Sequence, residues 1–380
     1  MSAQGLTWEQ VAAWRYDRQG LLRRADKADW PELARRVGGL HARSLAAAEL
    51  AVWARAEEVK AGDMNKAIGE ERSLAKTWAM QGEPYLFAAV ELPLILSALR
   101  ESAPDYFRKP SWLGARGITL RQLDLLTEGV GAVLGEEPQT PERLADAVAR
   151  HTGQESLRGL LLTGWSELLR PAASLGLLCF GPNEGESVTF VRPDQWIKRW
   201  IEHSEKTESA LLGALRRYVA CSGPATFEDF GRWWDMEAGK VKKLFRLLEE
   251  EIVSVPIEGR EGLALRKTVE EIRSAAIPEG TVRLLPQFDP YTVSLAQRST
   301  SVLAETYKSR VYGSQGWVNP VVAVGGKFAG TWATEEKQGR VELKVEWFEP
   351  SKVRPPVRAA LEEEAARLVE YYESELILRC

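Results

Sequence analysis

The chain has 380 residues, 44% of them hydrophobic and 27% charged, which fits a soluble globular protein of roughly two to four domains. A formal net charge of −4 excludes a globally basic nucleic-acid binder, so affinity for a polyanion must come from locally clustered Lys and Arg. Three cysteines (Cys179, Cys221, Cys380) and three histidines (His41, His151, His203), with no CxxC or HExxH spacing, argue against a disulfide framework and against structural zinc.

The N-terminus Met1-Ser2-Ala3-Gln4-Gly5 has no charged leader followed by an apolar run. No stretch is long and apolar enough to span a bilayer, and a cytoplasmic location is expected. Thr7 and Gln10 form a capping-box pair ahead of Trp8, Val11 and Ala12. A second helix is predicted from Pro31 through Leu33, Arg36 and Val37, interrupted at Gly38-Gly39. Ala46 to Lys60 is alanine-rich, with Leu50, Trp53 and Ala54 on one face, so 1–135 reads as mainly helical.

Thr140-Pro141 caps a helix through Leu144, Val148 and His151, which Gly153 ends, and helical pattern resumes from Glu155 to Ser174. Leu177 to Pro182 and Val188 to Pro193 flank a polar turn and read as a hairpin. The order repeats more sharply from Gly223-Pro224-Ala225-Thr226, where Phe227, Phe230 and Trp234 precede Val241, Leu244, Phe245 and Leu248 at helical spacing. Ile252–Ile257 and Leu263–Lys267 then form a second hairpin. Helix, turn, helix and hairpin in that order is the pattern of a winged helix. After Arg283 the runs Val321–Val324, Lys327–Trp332 and Val341–Trp347 predict a β-meander or small barrel, with polar Glu335 to Gly339 between the last two. A last amphipathic helix sets Leu361, Leu368, Tyr372 and Leu376 on one stripe, with Glu362 to Glu364 toward solvent.

Opposite the apolar face of 241–248 stand Lys240, Lys242, Lys243 and Arg246, a set that can neutralise phosphates in a groove or simply form a solvated helix face. Arg15, Arg18 and Arg55 belong to an N-terminal series of arginines, interleaved with acids, that could line a DNA channel. Asp289, in a Pro-flanked apolar context, reads as a turn carboxylate in preference to an acid catalyst. The 14 tryptophans read chiefly as core.

Several segments stand out in order: Gly38-Gly39-Leu40-His41-Ala42-Arg43, Trp53-Ala54-Arg55, Leu74 to Gly82 (LAKTWAMQG), and Gly223 to Trp234. Leu284 to Tyr291 (LLPQFDPY), and Asn319-Pro320-Val321 with Gly330-Thr331-Trp332, complete the series. Together they resemble the AlkZ-like (YcaQ-type) winged-helix DNA glycosylases, whose counterpart of LAKTWAMQG reads LVRTWAMRG. The resemblance implies an α+β fold of three tandem winged-helix units (1–135, 136–200, 201–275) and a β-barrel-like domain with a C-terminal helix (276–380). It also implies removal of alkylated purines, including bulky or cross-linked N7 adducts, from double-stranded DNA. A monomer without metal or cofactor is expected.

In that family two polar side chains of a Gln-x-Gln or Gln-x-Asp motif position water at C1′ and stabilise an oxocarbenium-like sugar. Here the two positions are His41 and Arg43. A neutral imidazole can take a proton from water, which makes His41 the candidate general base. Arg43 stays charged and would repel an oxocarbenium, so its chemistry suits a flanking phosphate or the departing base. The family's Arg-Gly-Thr-x-His stretch reads Gln81-Gly82-Glu83-Pro84-Tyr85, and Glu83 is a candidate for the missing negative charge. The alternative reading is a non-catalytic winged-helix DNA-binding protein that recognises damage or regulates.

Overall fold

The computed structural model describes residues 5–102, 104–201, 207–295, 300–337 and 339–379; Met1–Gln4, His203 and Cys380 lie outside these. The chain divides into two compact units, each assembled from separate stretches. The first takes Met1–Met64, Tyr218–Thr226 and Leu248–Cys380, the second Asn65–Arg217 and Phe227–Leu247. The unit limits do not fall at 135, 200 and 275. The secondary structure is mixed α+β.

In the first unit Thr7 caps Trp8–Arg18 with the reciprocal pair read from sequence, Thr7 Oγ1 accepting from Gln10 N and Gln10 Oε1 from Thr7 N. Asp29 caps Trp30–Arg36, placing Pro31 second in that helix. The alanine-rich helix is shorter than predicted, Leu45–Trp53, and is buried almost all round. Arg367 explains where it stops: its guanidinium donates to Trp53 O and Ala56 O and lies 4.5 Å from the Trp53 ring centroid. The hairpin Ile252–Ile257 with Arg260–Leu265 packs Val255, Ile257 and Ala264 against Leu6, Val11, Trp14 and Ile272.

A five-stranded sheet closes this unit. Val282–Leu285, Val321–Val324, Lys327–Lys337 and Arg340–Trp347 pair antiparallel in chain order, the predicted meander. The third strand runs through Glu335, so the polar stretch read as lying between two strands is largely paired. Gly330 sits at a bulge where a Cβ would fall 2.6 Å from Glu346 O, which only a glycine permits. The helix Pro355–Tyr372 ends at Glu373 in the left-handed region, and Leu376–Arg379 joins the sheet in parallel to Arg340–Trp347. This corrects the expected helical stripe: Leu376 is a strand residue, and Tyr371 is buried. Glu364 is also not solvent-facing; it is buried in ion pairs with Arg24 and Arg283.

In the second unit Thr140 caps Pro141–Thr152 and Gly153 ends it with φ +67°. Leu144, Val148, Leu157 and Leu161 form one core with Trp78, Phe180 and Phe190. The segment before 135 is less helical than expected, because Leu74–Trp78 and Pro84–Ala88 pair antiparallel. Burial on both faces of the first strand removes the alternation that would have marked it. Cys179–Phe180 and Phe190–Val191 form the predicted hairpin beside it. The helices Phe227–Trp234 and Ala238–Arg246 bury Phe230, Trp234, Val241, Leu244 and Phe245.

Candidate active site

His41 is presented by a short extended segment, Leu40–His41, between a glycine break and a helix. Gly38 and Gly39 take φ values of +75° and +106°, and a Cβ at Gly38 would lie 3.0 Å from Cys221 Sγ. Ser44 then caps Leu45–Trp53, its Oγ accepting from Ala47 N at 3.2 Å. Burial alternates along the segment: Leu40 and Ala42 are buried, His41 is half-buried and Arg43 exposed. His41 and Arg43 therefore lie on one side of an extended chain, opposite Leu40 and Ala42.

The imidazole does not stand alone. It stacks on Phe288, with ring centroids 4.2 Å apart and planes 16° from parallel. Phe288 in turn meets Trp317 edge to face at 5.6 Å. Trp317 is 43% exposed, and its Nε1 donates to Asn319 Oδ1, while Asn319 Nδ2 donates to Arg310 O. An aromatic row thus runs from His41 to an exposed indole. This indole is an exception to the core reading of the tryptophans.

Phe288 is held in an unusual backbone state, φ +56°, which for a bulky side chain costs about 1–3 kcal/mol. The next residue explains how it persists. Asp289 is wholly buried and accepts two hydrogen bonds from Arg55, also wholly buried, at 2.7 and 2.9 Å. Its Oδ1 also accepts from Tyr291 N, capping the short helix Pro290–Ser294. Arg55 donates further to Gln19 O and Ala51 O. Burial raises the Tyr291 phenol well above its usual pKa, which keeps it a neutral donor to Gly326 O at 2.8 Å.

Arg15 and Arg55, expected as phosphate contacts, are both buried. Arg55 spends its donors on Asp289 and backbone carbonyls. Arg15, 4% exposed, donates to the carbonyls of Gly223, Pro224 and Ser294. Both are interior braces, their charge and fork shape used for several acceptors at once. Arg18 is exposed, donating to Ala220 O. Lys240, Lys243 and Arg246 are exposed along one face of their helix, in the second unit. Glu83 also belongs to the second unit, beside Tyr85, whose pKa is raised by burial and by the Glu83 charge. Phe288 and Trp317 escaped the sequence reading as site residues, although both stand in or next to recognised segments. Among the described residues no three His, Cys, Asp or Glu side chains gather as a metal site.

The DNA glycosylase AlkZ-like family model matches residues 34–371. The chain belongs to the AlkZ-like DNA glycosylase family. A relative from Streptomyces sahachiroi, an interstrand DNA cross-link repair glycosylase, is 34% identical over 366 residues, covering 95% of each chain. The solved structure of the Streptomyces sahachiroi DNA glycosylase AlkZ superposes with a TM-score of 0.86 at 32% identity, over 99% of this chain and 100% of that one. Among the AlkZ-like segments, Trp53-Ala54-Arg55 and the LLPQFDPY stretch meet in the Arg55–Asp289 pair. Trp78 of the LAKTWAMQG stretch lies 4.5 Å from Phe180 in the second core. Trp332 donates its Nε1 to Leu285 O at 2.8 Å. These motifs hold the fold, while His41 is half-buried and Arg43 exposed.

Proposed function

We propose that this AlkZ-like protein is a monofunctional glycosylase that hydrolyses the N-glycosidic bond of N7-alkylated purines in duplex DNA, bulky or cross-linked adducts included. The observation that carries the reading is the half-buried imidazole of His41, held face-on by Phe288; the motif resemblance assigns His41 to the family's first water-positioning place. N7 alkylation places positive charge on the purine, which makes it a good leaving group. The enzyme then has to deliver water to C1′ as the bond to N9 breaks. In this reading His41 accepts the water proton. The departing base carries away the electrons of the C1′–N9 bond and loses its positive charge. Arg43, exposed on the same side, binds a flanking phosphate or the leaving purine. Lys240, Lys243 and Arg246 add phosphate contacts. The order of helices and hairpins along 136–265 supports tandem winged-helix units as the DNA-binding scaffold.

Single-turnover release of N7-methylguanine from duplex DNA tests the proposal. Wild type is expected to release the base, and His41→Ala to lose release by at least about a hundredfold, the lower end of what general-base catalysis contributes. DNA affinity should stay within about twofold. Release by His41→Ala at the wild-type rate would overturn the mechanism. A second reading, damage recognition without catalysis, is favoured by Arg43, whose fixed positive charge opposes an oxocarbenium. DNA binding without release of either N7-methylguanine or a bulky N7 adduct would select it.

A further inference from the structure

We infer that Phe288 is a positioning residue, fixing the His41 imidazole for proton transfer, and that the buried Arg55–Asp289 pair is the anchor through which the fold imposes this. The inference rests on the reading of His41 as the group that activates water. Three observations carry it. The rings are nearly parallel at 4.2 Å, so Phe288 covers one face of the imidazole and fixes the plane in which its nitrogens lie. Phe288 adopts a strained φ of +56°, a state that survives only where the surroundings over-determine it. That determination comes from the adjacent Asp289, pinned by two charge-assisted hydrogen bonds to Arg55 and by its cap on Tyr291.

The chain connectivity makes the anchor specific. His41 precedes the helix Leu45–Trp53 and Arg55 follows it, and the two reach the same dipeptide, Phe288-Asp289. One contact sets the far end of the helix and the other the near end. The helix cannot slide or rotate against that dipeptide without breaking one of them. A stack alone tolerates slip in the ring plane. A stack tied to a bidentate ion pair through a rigid helix does not, and such fixed geometry is what proton transfer requires. Trp317, edge-on to Phe288, closes the phenyl ring's remaining freedom.

The test compares wild type, His41→Ala, Phe288→Leu and Phe288→Tyr in single-turnover release of N7-methylguanine from duplex DNA. DNA affinity and melting temperature are measured on the same proteins. Phe288→Leu keeps apolar bulk but cannot stack, and is expected to slow release about tenfold to a hundredfold with DNA affinity within about twofold. Phe288→Tyr restores the stack and should recover release to within about threefold. The imidazole proton resonances give a readout independent of activity, since the chain has only three histidines. The His41 signal, identified by its absence in His41→Ala, should carry a ring-current shift that Phe288→Leu removes and Phe288→Tyr retains. A wild-type rate in Phe288→Leu beside a slow His41→Ala would overturn the positioning role alone. So would a rate loss matched by an equal loss of DNA affinity or of folding, or a Tyr variant as slow as Leu. A His41→Ala as fast as wild type, or an inactive wild type, would overturn both the positioning role and the reading beneath it.

Discussion

A guanidinium and a carboxylate taken wholly out of water repay their desolvation only while each has the other. Arg55→Met or Asp289→Leu alone is therefore expected to cost about 3–5 kcal/mol, and the double exchange to recover much of it. Urea unfolding of the two single variants and the double variant measures this directly. Lys76 carries the opposite situation, a desolvated ammonium 4.6 Å from the Phe180 ring centroid, with its pKa lowered from 10.5 to about 8 by burial. Between about pH 8 and 10.5 the unfolded chain holds the proton that the folded chain has lost, so stability rises with pH across that window. Below pH 8 the burden of the buried charge is present in full. Lys76→Met should be more stable than wild type at pH 7, by on the order of 2 kcal/mol, and the gap should narrow toward pH 10 in paired urea titrations. Much of this scale was hidden in the sequence. Arg55 and Asp289 were each visible inside a motif, but 234 positions separate them and nothing local says they meet. Arg15 and Arg55 looked like members of one basic series, and only burial distinguishes a brace from a surface cation. Phe288 was read as part of a segment because its significance lies in a ring it touches across the fold.

At the level of elements, the exposed cationic face of Ala238–Arg246 and its buried face of Val241, Leu244 and Phe245 are what helical periodicity dictates. If that face binds duplex DNA, Lys240→Ala and Arg246→Ala should each weaken binding across sequences. Each should also reduce the slope of log affinity against log salt by about 0.9, read from titrations at several salt concentrations. An unchanged slope would remove this helix from the DNA contact surface. Caps and turns were legible wherever one residue type does one local job: Thr7 with Gln10, Thr140, and Gly153 all act where the sequence puts them. Elements ruled by distant partners were not. The strand Leu74–Trp78 is buried on both faces and shows no alternation. The helix Leu45–Trp53 stops short because Arg367, more than three hundred residues later, takes up its last carbonyls. The strand Leu376–Arg379 continued an apolar stripe that looked helical until the sheet edge claimed it.

At the scale of the whole chain, the first unit ties Met1–Met64 to Leu248–Cys380. Besides Arg55 with Asp289, Arg24 pairs with Glu364, and Glu49 accepts from Gly62 N, Met64 N and the Tyr371 hydroxyl. A chain cut after residue 275 loses all three distant partners and leaves buried charges behind. It is expected to show no cooperative melting transition for the first unit by calorimetry. The same connectivity governs how the protein is made. At about 5–20 residues per second, Arg55 emerges from the ribosome roughly 10–50 s before Asp289 exists. The stretch Asn65–Arg217 is continuous and can begin to gather during synthesis, whereas the segment bearing His41 has to wait, hydrated and unpacked, for the C-terminal sheet to arrive. The last part of the chain to be translated is thus what completes the surroundings of the first, and a nascent chain stalled before residue 289 would present its N-terminal helices to chaperones in place of a formed site.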